Sequence, residues 1–147
     1  MGGPLDETQS DAKFDRYVAT FARHGFARLA IEDRQGHFVG YAGIMPSPPD
    51  HVLGQHVEIG WRLARLSWGN GYATEAARAV LRDAFTRVGV TEVLAYTSSD
   101  NERSQAVMNR LGLRRAPTRD FSTAYNGRMW RGLVWAAAAA DGSLTSR

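Results

Sequence analysis

Trp68-Gly69-Asn70-Gly71-Tyr72-Ala73-Thr74-Glu75 sets two glycines immediately before a long amphipathic pattern. From Ala77 the apolar residues fall at Ala77, Val80, Leu81, Ala84 and Phe85, the i, i+3, i+4, i+7, i+8 stripe of a helix that buries one side, with Arg78, Arg82 and Thr86 outside it. The pattern stops near Gly89, so the stretch reads as a loop feeding a helix. Such a loop brings bare backbone N–H groups to a helix N-terminus. First-turn donors have no intrahelical partner and the helix dipole adds partial positive charge, which makes the place an anion site, and phosphate is the guest that suits it. The Gly-Lys-Ser/Thr ending of a Walker loop is missing, as are the third glycine and the spacing of the dinucleotide fingerprint. The reading turns away from nucleoside triphosphates and nicotinamide dinucleotides.

Working outward, residues 1–10 are polar and glycine-containing and are expected to fray. Phe14, Tyr17, Val18 and Phe21 recur at helical spacing between Asp11 and His24, with Gly25 as a stop. Ala27, Leu29 and Ile31 then alternate with Arg28, Ala30 and Glu32, and Phe38 to Met45 forms a second extended run across the turn Asp33-Arg34-Gln35-Gly36, an antiparallel hairpin. Pro46-Ser47-Pro48-Pro49-Asp50 is a loop, because its prolines suit neither a sheet interior nor a helix. Residues 56–64 and 91–97 read as the next two strands, on either side of the loop and its helix. Ser98 to Asn101 supply caps for a short helix, with Ser99 and Glu102 as a capping box and Val107, Met108 and Leu111 as its stripe. A short strand at Leu113–Ala116, a turn-rich connection and a last strand at Met129–Trp135 complete the pattern, with residues 137–147 expected to be a flexible tail.

The length of 147 residues suits one domain with a single core. Hydrophobic content of 44% and charged content of 22% are ordinary globular values, and no apolar run approaches the roughly 18 residues of a membrane span. The absence of cysteine removes disulfides, thiolate metal sites and cysteine nucleophiles, and with no basic–apolar leader the expectation is a cytoplasmic protein. The net charge of +3 rests on 17 arginines and the single Lys13. These are scattered and no nucleic-acid motif accompanies them, so a nucleic-acid partner is not expected. No His/Asp/Glu set has metal-ligand spacing.

The run Glu58-Ile59-Gly60-Trp61-Arg62-Leu63, the glycine stretch, Asn101-x-x-Ser104 and Arg110-Leu111-Gly112-Leu113 together resemble the acetyl-CoA-dependent N-acetyltransferase superfamily, GNAT. The resemblance covers roughly residues 14–135 and points to the branch that includes the ribosomal-protein N-terminal acetyltransferases. It implies one acyltransferase domain over residues 1–147, of the α/β (α+β) class: a twisted, mixed but mostly antiparallel sheet, splayed between its two middle strands and flanked by helices. It also implies that acetyl-CoA lies across the splayed ends of strands 56–64 and 91–97. The pyrophosphate would meet main-chain N–H groups of Gly69, Asn70, Gly71, Tyr72, Ala73 and Thr74 beside Trp68, and the pantetheine arm would pair with the backbone of Arg62 and Leu63. Asn70 stands where the family often has lysine, a charge that Arg65, Arg78 or Arg103 would replace.

Acetyl transfer to an amine needs the ammonium deprotonated, the oxyanion stabilised and the thiolate accepted. The resemblance puts Glu58 at a position that often acts as base, directly or through water; the plain alternative is a strand-face charge paired with an arginine. His51 and His56 flank the strand entry and His24 and His37 look like turn and surface residues, weaker candidates all. Met108 replaces the tyrosine that many members offer the leaving thiolate, leaving Ser104, together with Asn101, to meet the sulfur or the pantetheine; simple helix capping is the other account of both. Three function classes follow: an active acetyl-CoA:amine N-acetyltransferase, a degraded acyl-CoA-binding module without turnover, and, behind them, a basic nucleic-acid or ribosome-associated protein.

Family members usually begin with a strand and a further helix that residues 1–10 do not supply. The strand at Ala27–Glu32 is then expected to be a bare edge, covered by a second copy of the chain, and the acceptor side to be open to an extended amine such as a peptide N-terminus. Acceptor choice is expected to lie in the N-terminal helix and in Arg119–Arg128.

Overall fold

Asp33 organises the first hairpin: its carboxylate accepts the backbone N–H of Gln35 and of His37, both at 2.9 Å, and Gly36 completes the turn at φ 83°. The computed structural model, which describes residues 7–141, places this hairpin as β1 (Arg28–Glu32) and β2 (Phe38–Pro46), after helix α1 (Glu7–His24). There follow β3 (Val57–Leu63), α2 (Tyr72–Asp83), β4 (Glu92–Thr97), α3 (Glu102–Arg110), β5 (Arg114–Arg115), β6 (Phe121–Tyr125) and β7 (Arg128–Ala138).

The strands form one sheet in the order β1-β2-β3-β4-β7-β5, with β6 also on β7. All pairings are antiparallel except β3 with β4, which run parallel and register at only one pair, Glu58 with Leu94. No further pair registers between the two middle strands, in keeping with the splay that the family resemblance implies. The mixed sheet with flanking helices matches the expected fold class.

Two cores separate by face, as period-2 alternation demands. Ile44, Ile59, Val93 and Ala95 meet Ala77, Leu81 and Ala84 of α2 and its extension, and Val107 and Met108 of α3. On the other face Leu94, Phe121, Val134 and Ala136 pack with Tyr96 and Trp130, while Tyr17 of α1 covers Ala27 and Met45. Helix α2 continues through a wider turn to Gly89 (φ 79°), and α3 closes with the Leu113 N–H on the Met108 carbonyl (3.1 Å) around Gly112 (φ 79°), a Schellman ending.

Several local expectations need correction. Residues 7–10 are not a tail but the opening turn of α1, and Ala137 and Ala138 belong to β7, where Ala137 pairs with Val93 and is fully buried. Residues 1–6 and 142–147 lie outside the described residues. The α3 cap is Asn101, whose side chain accepts the Ser104 N–H at 3.2 Å, and not the Ser99/Glu102 box. The turn-rich connection contains a strand, β6, joined to β7 by Asn126-Gly127 with φ of 50° and 76°, the left-handed pair a tight hairpin requires. In α1 only Tyr17 of the apolar stripe is buried, while Phe14, Val18 and Phe21 are exposed. On β1 the expected alternation holds for the buried Ala27, the half-buried Ile31 and the exposed Ala30 and Glu32, but fails at Leu29, which is exposed, and Arg28, which is half-buried.

Candidate active site

A turn of 3-10 helix, Arg65–Ser67, leads from β3 into the glycine loop, where Gly69 and Gly71 both take left-handed φ, 85° and 75°. Neither has a neighbour within 4 Å of where a side chain would begin, so the backbone stands open to solvent on that side. Gly71 is the N-cap of α2 and contributes no side chain, leaving the first-turn N–H groups of Tyr72, Ala73 and Thr74 without intrahelical acceptors. Asn70, in place of a charge, donates its amide to the Ser67 carbonyl (3.1 Å) and holds the loop to its own entry turn.

Cations gather around this opening. The Arg103 guanidinium, from the first turn of α3, lies 3.9 Å over the Trp68 ring and Arg65 approaches the same ring at 5.6 Å, so one indole positions two guanidinium groups. Trp68 in turn donates its ring N–H to the Leu63 carbonyl (3.2 Å) at the end of β3. A cleft of about 580 Å³ runs from Gly71 and Thr74 along α2, lined by Glu75, Arg78, Arg82 and Arg110. The open left-handed glycines, the bare helix start and the arginines fit a pyrophosphate-bearing coenzyme, and Glu58 with Leu94 is the one pair that β3 registers with β4.

Glu58 lies on the opposite sheet face from α2 and α3. Its carboxylate pairs with Arg28, with side chains only 20% and 15% exposed. The pair exists because Gly43 and Gly60 face each other across β2 and β3, leaving a trough for the Arg28 side chain; that guanidinium also donates to the Gly43 carbonyl at 2.9 Å. Tyr96, two residues beyond the registered Leu94, brings its hydroxyl to 3.3 Å from His56 Nε2. Burial, and then the Glu58 charge, push the Tyr96 phenol far above the usual tyrosine range, so it stays protonated. His51 stacks edge-on against His56 (4.7 Å) and Phe121 (5.1 Å), and burial together with His56 pulls its imidazole below the ordinary value. From α1, the Lys13 ammonium is lowered first by burial and then by Arg62, Arg16 and Arg28, marking an electropositive wall above Glu58.

The structure thus gathers the predicted residues into two groups. Trp68 to Thr74 and Asn101 with Ser104 border the α2 and α3 helix starts, Asn101 and Ser104 meeting as helix cap; Glu58 stands with Arg28, Tyr96 and His56. Among the described residues no hydrogen bond or ion pair joins Glu58 to Ser104, and no cluster of three metal-ligating side chains occurs. Met108 is core, at 2% exposure. Arg28 and Tyr96 escaped the sequence reading; the available signal was Gly43 and Gly60, two glycines inside strands, which mark a close approach.

Comparison with known proteins agrees with this geometry. The family profile described as "Acetyltransferase (GNAT) domain" matches residues 1–114. The chain is 38% identical over 88 residues to FsC-acetyl coenzyme A-N(2)-transacetylase of Aspergillus fumigatus, covering 57% of this chain and 37% of that protein. The crystal structure of an acetyltransferase from Agrobacterium tumefaciens superposes with a TM-score of 0.74 at 28% identity, over 92% of this chain and 74% of that one. A GNAT-family acetyltransferase from Bacillus anthracis shares the fold at 20% identity, with a TM-score of 0.73 over 95% and 78% of the two chains. The chain spans between 37% and 59% of the length of the curated relatives it matches. With its family profile, its splayed central strands and its glycine loop at a helix start in agreement, the chain belongs to the GNAT acetyltransferases.

Proposed function

We propose that the chain is an acetyl-CoA-dependent N-acetyltransferase that moves an acetyl group to a primary amine by direct attack within a ternary complex, in the branch of the ribosomal-protein N-terminal acetyltransferases. The observation that carries the reading is the single registered pair between β3 and β4, with the cationic glycine loop on one side of the opening and Glu58 on the other. Acetyl-CoA supplies the activated acetyl group. Gly69 to Thr74 would hold its pyrophosphate through N–H groups, with Arg65 and Arg103 replacing the family lysine, and the backbone of Arg62 and Leu63 would pair with the pantetheine. Ser104 would sit beside the sulfur at the start of α3. Glu58 would take the proton of the incoming ammonium, its carboxylate kept in place by Arg28.

Acetyl-CoA consumption against a panel of peptide N-termini and small amines tests this directly. Turnover with a member of the panel is expected; tight coenzyme binding with no turnover on any amine would favour the second class, an acyl-CoA-binding module.

The reading extends to assembly. Strand β1 pairs only with β2 among the described residues, and the exposed Phe14, Val18, Phe21 and Leu29 lie on α1 and that edge strand. A second copy of the chain is the cover we favour, because closed self-association is the commonest solution. Light scattering at micromolar concentration is expected to give a dimer, and a monomer with exchanging amides at residues 28–32 would defeat the idea.

A further inference from the structure

Helix α1 turns apolar residues outward and a lysine inward. Phe14, Val18 and Phe21 are exposed, while Lys13 and Thr20 are half-buried on either side of the buried Tyr17, so the sheet-facing stripe is Lys13, Tyr17 and Thr20 at i, i+4 and i+7. The Tyr17 ring meets that of Tyr41 at 5.9 Å between centres and covers Met45. Tyr41 and Met45 pair across the sheet with Arg62 and Glu58, and Gly43 between them pairs with Arg28 on one side and Gly60 on the other. Cross-strand partners share a face, so Lys13 looks onto the face that carries Arg28, Glu58 and Arg62.

The charge on that face is unbalanced. Arg62, Arg28 and Arg16, the last lying 5.7 Å over the Tyr17 ring, all act on the Lys13 ammonium, and the carboxylate that opposes them, Glu58, is already held by Arg28. No hydrogen bond or ion pair reaches Lys13 among the described residues. Arg62 has contacts of its own and enters as a charge on the same face. Taking an ammonium partly out of water beside like charges opposes folding, and an apolar residue at the same position would avoid that cost. An anion brought by a ligand would relieve it.

We propose that Lys13 is the anion site for the acceptor, and that the acceptor is a peptide N-terminus followed by acidic residues. This rests on the reading of Glu58 as the group that takes the proton of the acceptor ammonium. The amine then stands at Glu58. Arg62 lies four residues further along β3, about 13 Å of strand, which three or four residues of an extended peptide would cover. A carboxylate on the second or third residue of the acceptor therefore enters the cationic stretch between Arg28 and Arg62 that Lys13 faces. The same field turns away a polyamine, whose further ammonium groups would meet like charge.

The test measures kcat/KM at saturating acetyl-CoA for three amidated tetrapeptides, alike except for acidic, neutral or basic residues at their second and third positions, and for free aspartate. The unaltered protein is expected to favour the acidic peptide over the basic one by about tenfold or more, a preference that narrows as salt rises. Lys13→Met should cut that ratio by about fivefold, the upper end for a solvent-facing charge pair, and mostly through KM. Lys13→Arg should keep it, and acetyl-CoA affinity by calorimetry should be unchanged in both variants. Equal kcat/KM for the three peptides, an unchanged ratio in Lys13→Met, or faster use of free aspartate than of the acidic peptide would overturn the proposal. Lys13 is the only lysine in the sequence, so lysine labelled with carbon-13 at Cε gives a single side-chain signal. That signal decides should Lys13→Met fail to fold: movement with the acidic peptide and not with the basic one upholds the anion site, and an unmoved signal overturns it. An unaltered protein inactive on every amine would defeat acetyl transfer, while the same signal still reports whether Lys13 meets the acidic peptide.

Discussion

The guanidinium of Arg28 lies over Gly60, so that a methyl group added there would come within 2.4 Å of its Nη2, and from that position it pairs with the Glu58 carboxylate. The facing Gly43 is crowded differently: its missing methyl would meet the Ala27 carbonyl oxygen at 2.1 Å, which is backbone. Gly60→Ala is therefore expected to move only a side-chain end, costing within about 1 kcal/mol while altering the pH–rate profile. Gly43→Ala must displace β1 and is expected to cost about 3 kcal/mol, the upper end of overpacking. Denaturant melts of the two variants check the contrast, and equal losses would contradict it.

Glu58→Gln keeps the shape of the Arg28 partner and removes the proton acceptor. Turnover is expected to fall about a hundredfold or more, with acetyl-CoA affinity nearly intact because the glycine loop is on the other sheet face. A pH–rate profile unaffected by the change would return Glu58 to a strand-face ion pair.

Gly71→Val should abolish acetyl-CoA binding in a protein that still folds. The residue has φ 75°, which a β-branched side chain tolerates poorly, and the new side chain would project where a phosphate must approach. Calorimetry showing unchanged affinity in a folded variant would remove the loop from the site.

Arg103→Ala takes the closer of the two cations from the Trp68 ring. An exposed contact of this kind is worth about 0.5–1 kcal/mol, so coenzyme affinity should drop by about two- to fivefold. The deficit should narrow as salt rises, because the lost charge is screened; a salt-independent loss would point to loop distortion instead.

Acid should weaken the fold in two stages. Burial holds the folded His51 below its ordinary value of 6.5, so protonation opposes folding: stability is full above 6.5 and declines as pH falls through and below it. Glu92 and Asp120 are lowered mainly by hydrogen bonds from Arg119 and Arg115, so their contribution is present above their ordinary values, 4.5 and 3.8, and is lost below them. Melting temperature against pH should show both stages, and His51→Gln should remove only the first.

What the sequence revealed was what local pattern encodes. Two glycines before an amphipathic run announced the loop and α2, and two extended runs across the Asp33–Gly36 turn announced the first hairpin. Arg28, Glu58 and Tyr96 come from three strands, and only register sets them side by side, which no local period reports. The exchange of Arg28 and Leu29 on β1 has the same origin, since the trough of Gly43 and Gly60 draws Arg28 inward and leaves Leu29 outside. β6 was missed although Asn126-Gly127 is a strong hairpin signal; Pro117 and Asp120 nearby made the whole connection read as turns, while Asp120 in fact accepts the Val134 N–H and pairs with Arg115.

β7 joins β4 along six residue pairs, from Glu92–Ala138 to Thr97–Leu133, and also carries β5 and β6. During synthesis this means that β4 emerges with one flank unmatched and keeps it until the ribosome has added about forty more residues and the tunnel has released them. The nascent chain in that interval has α2 and the glycine loop but no closed sheet, and its bare strand is the place where a chaperone would be recruited or a neighbouring nascent chain would pair by mistake.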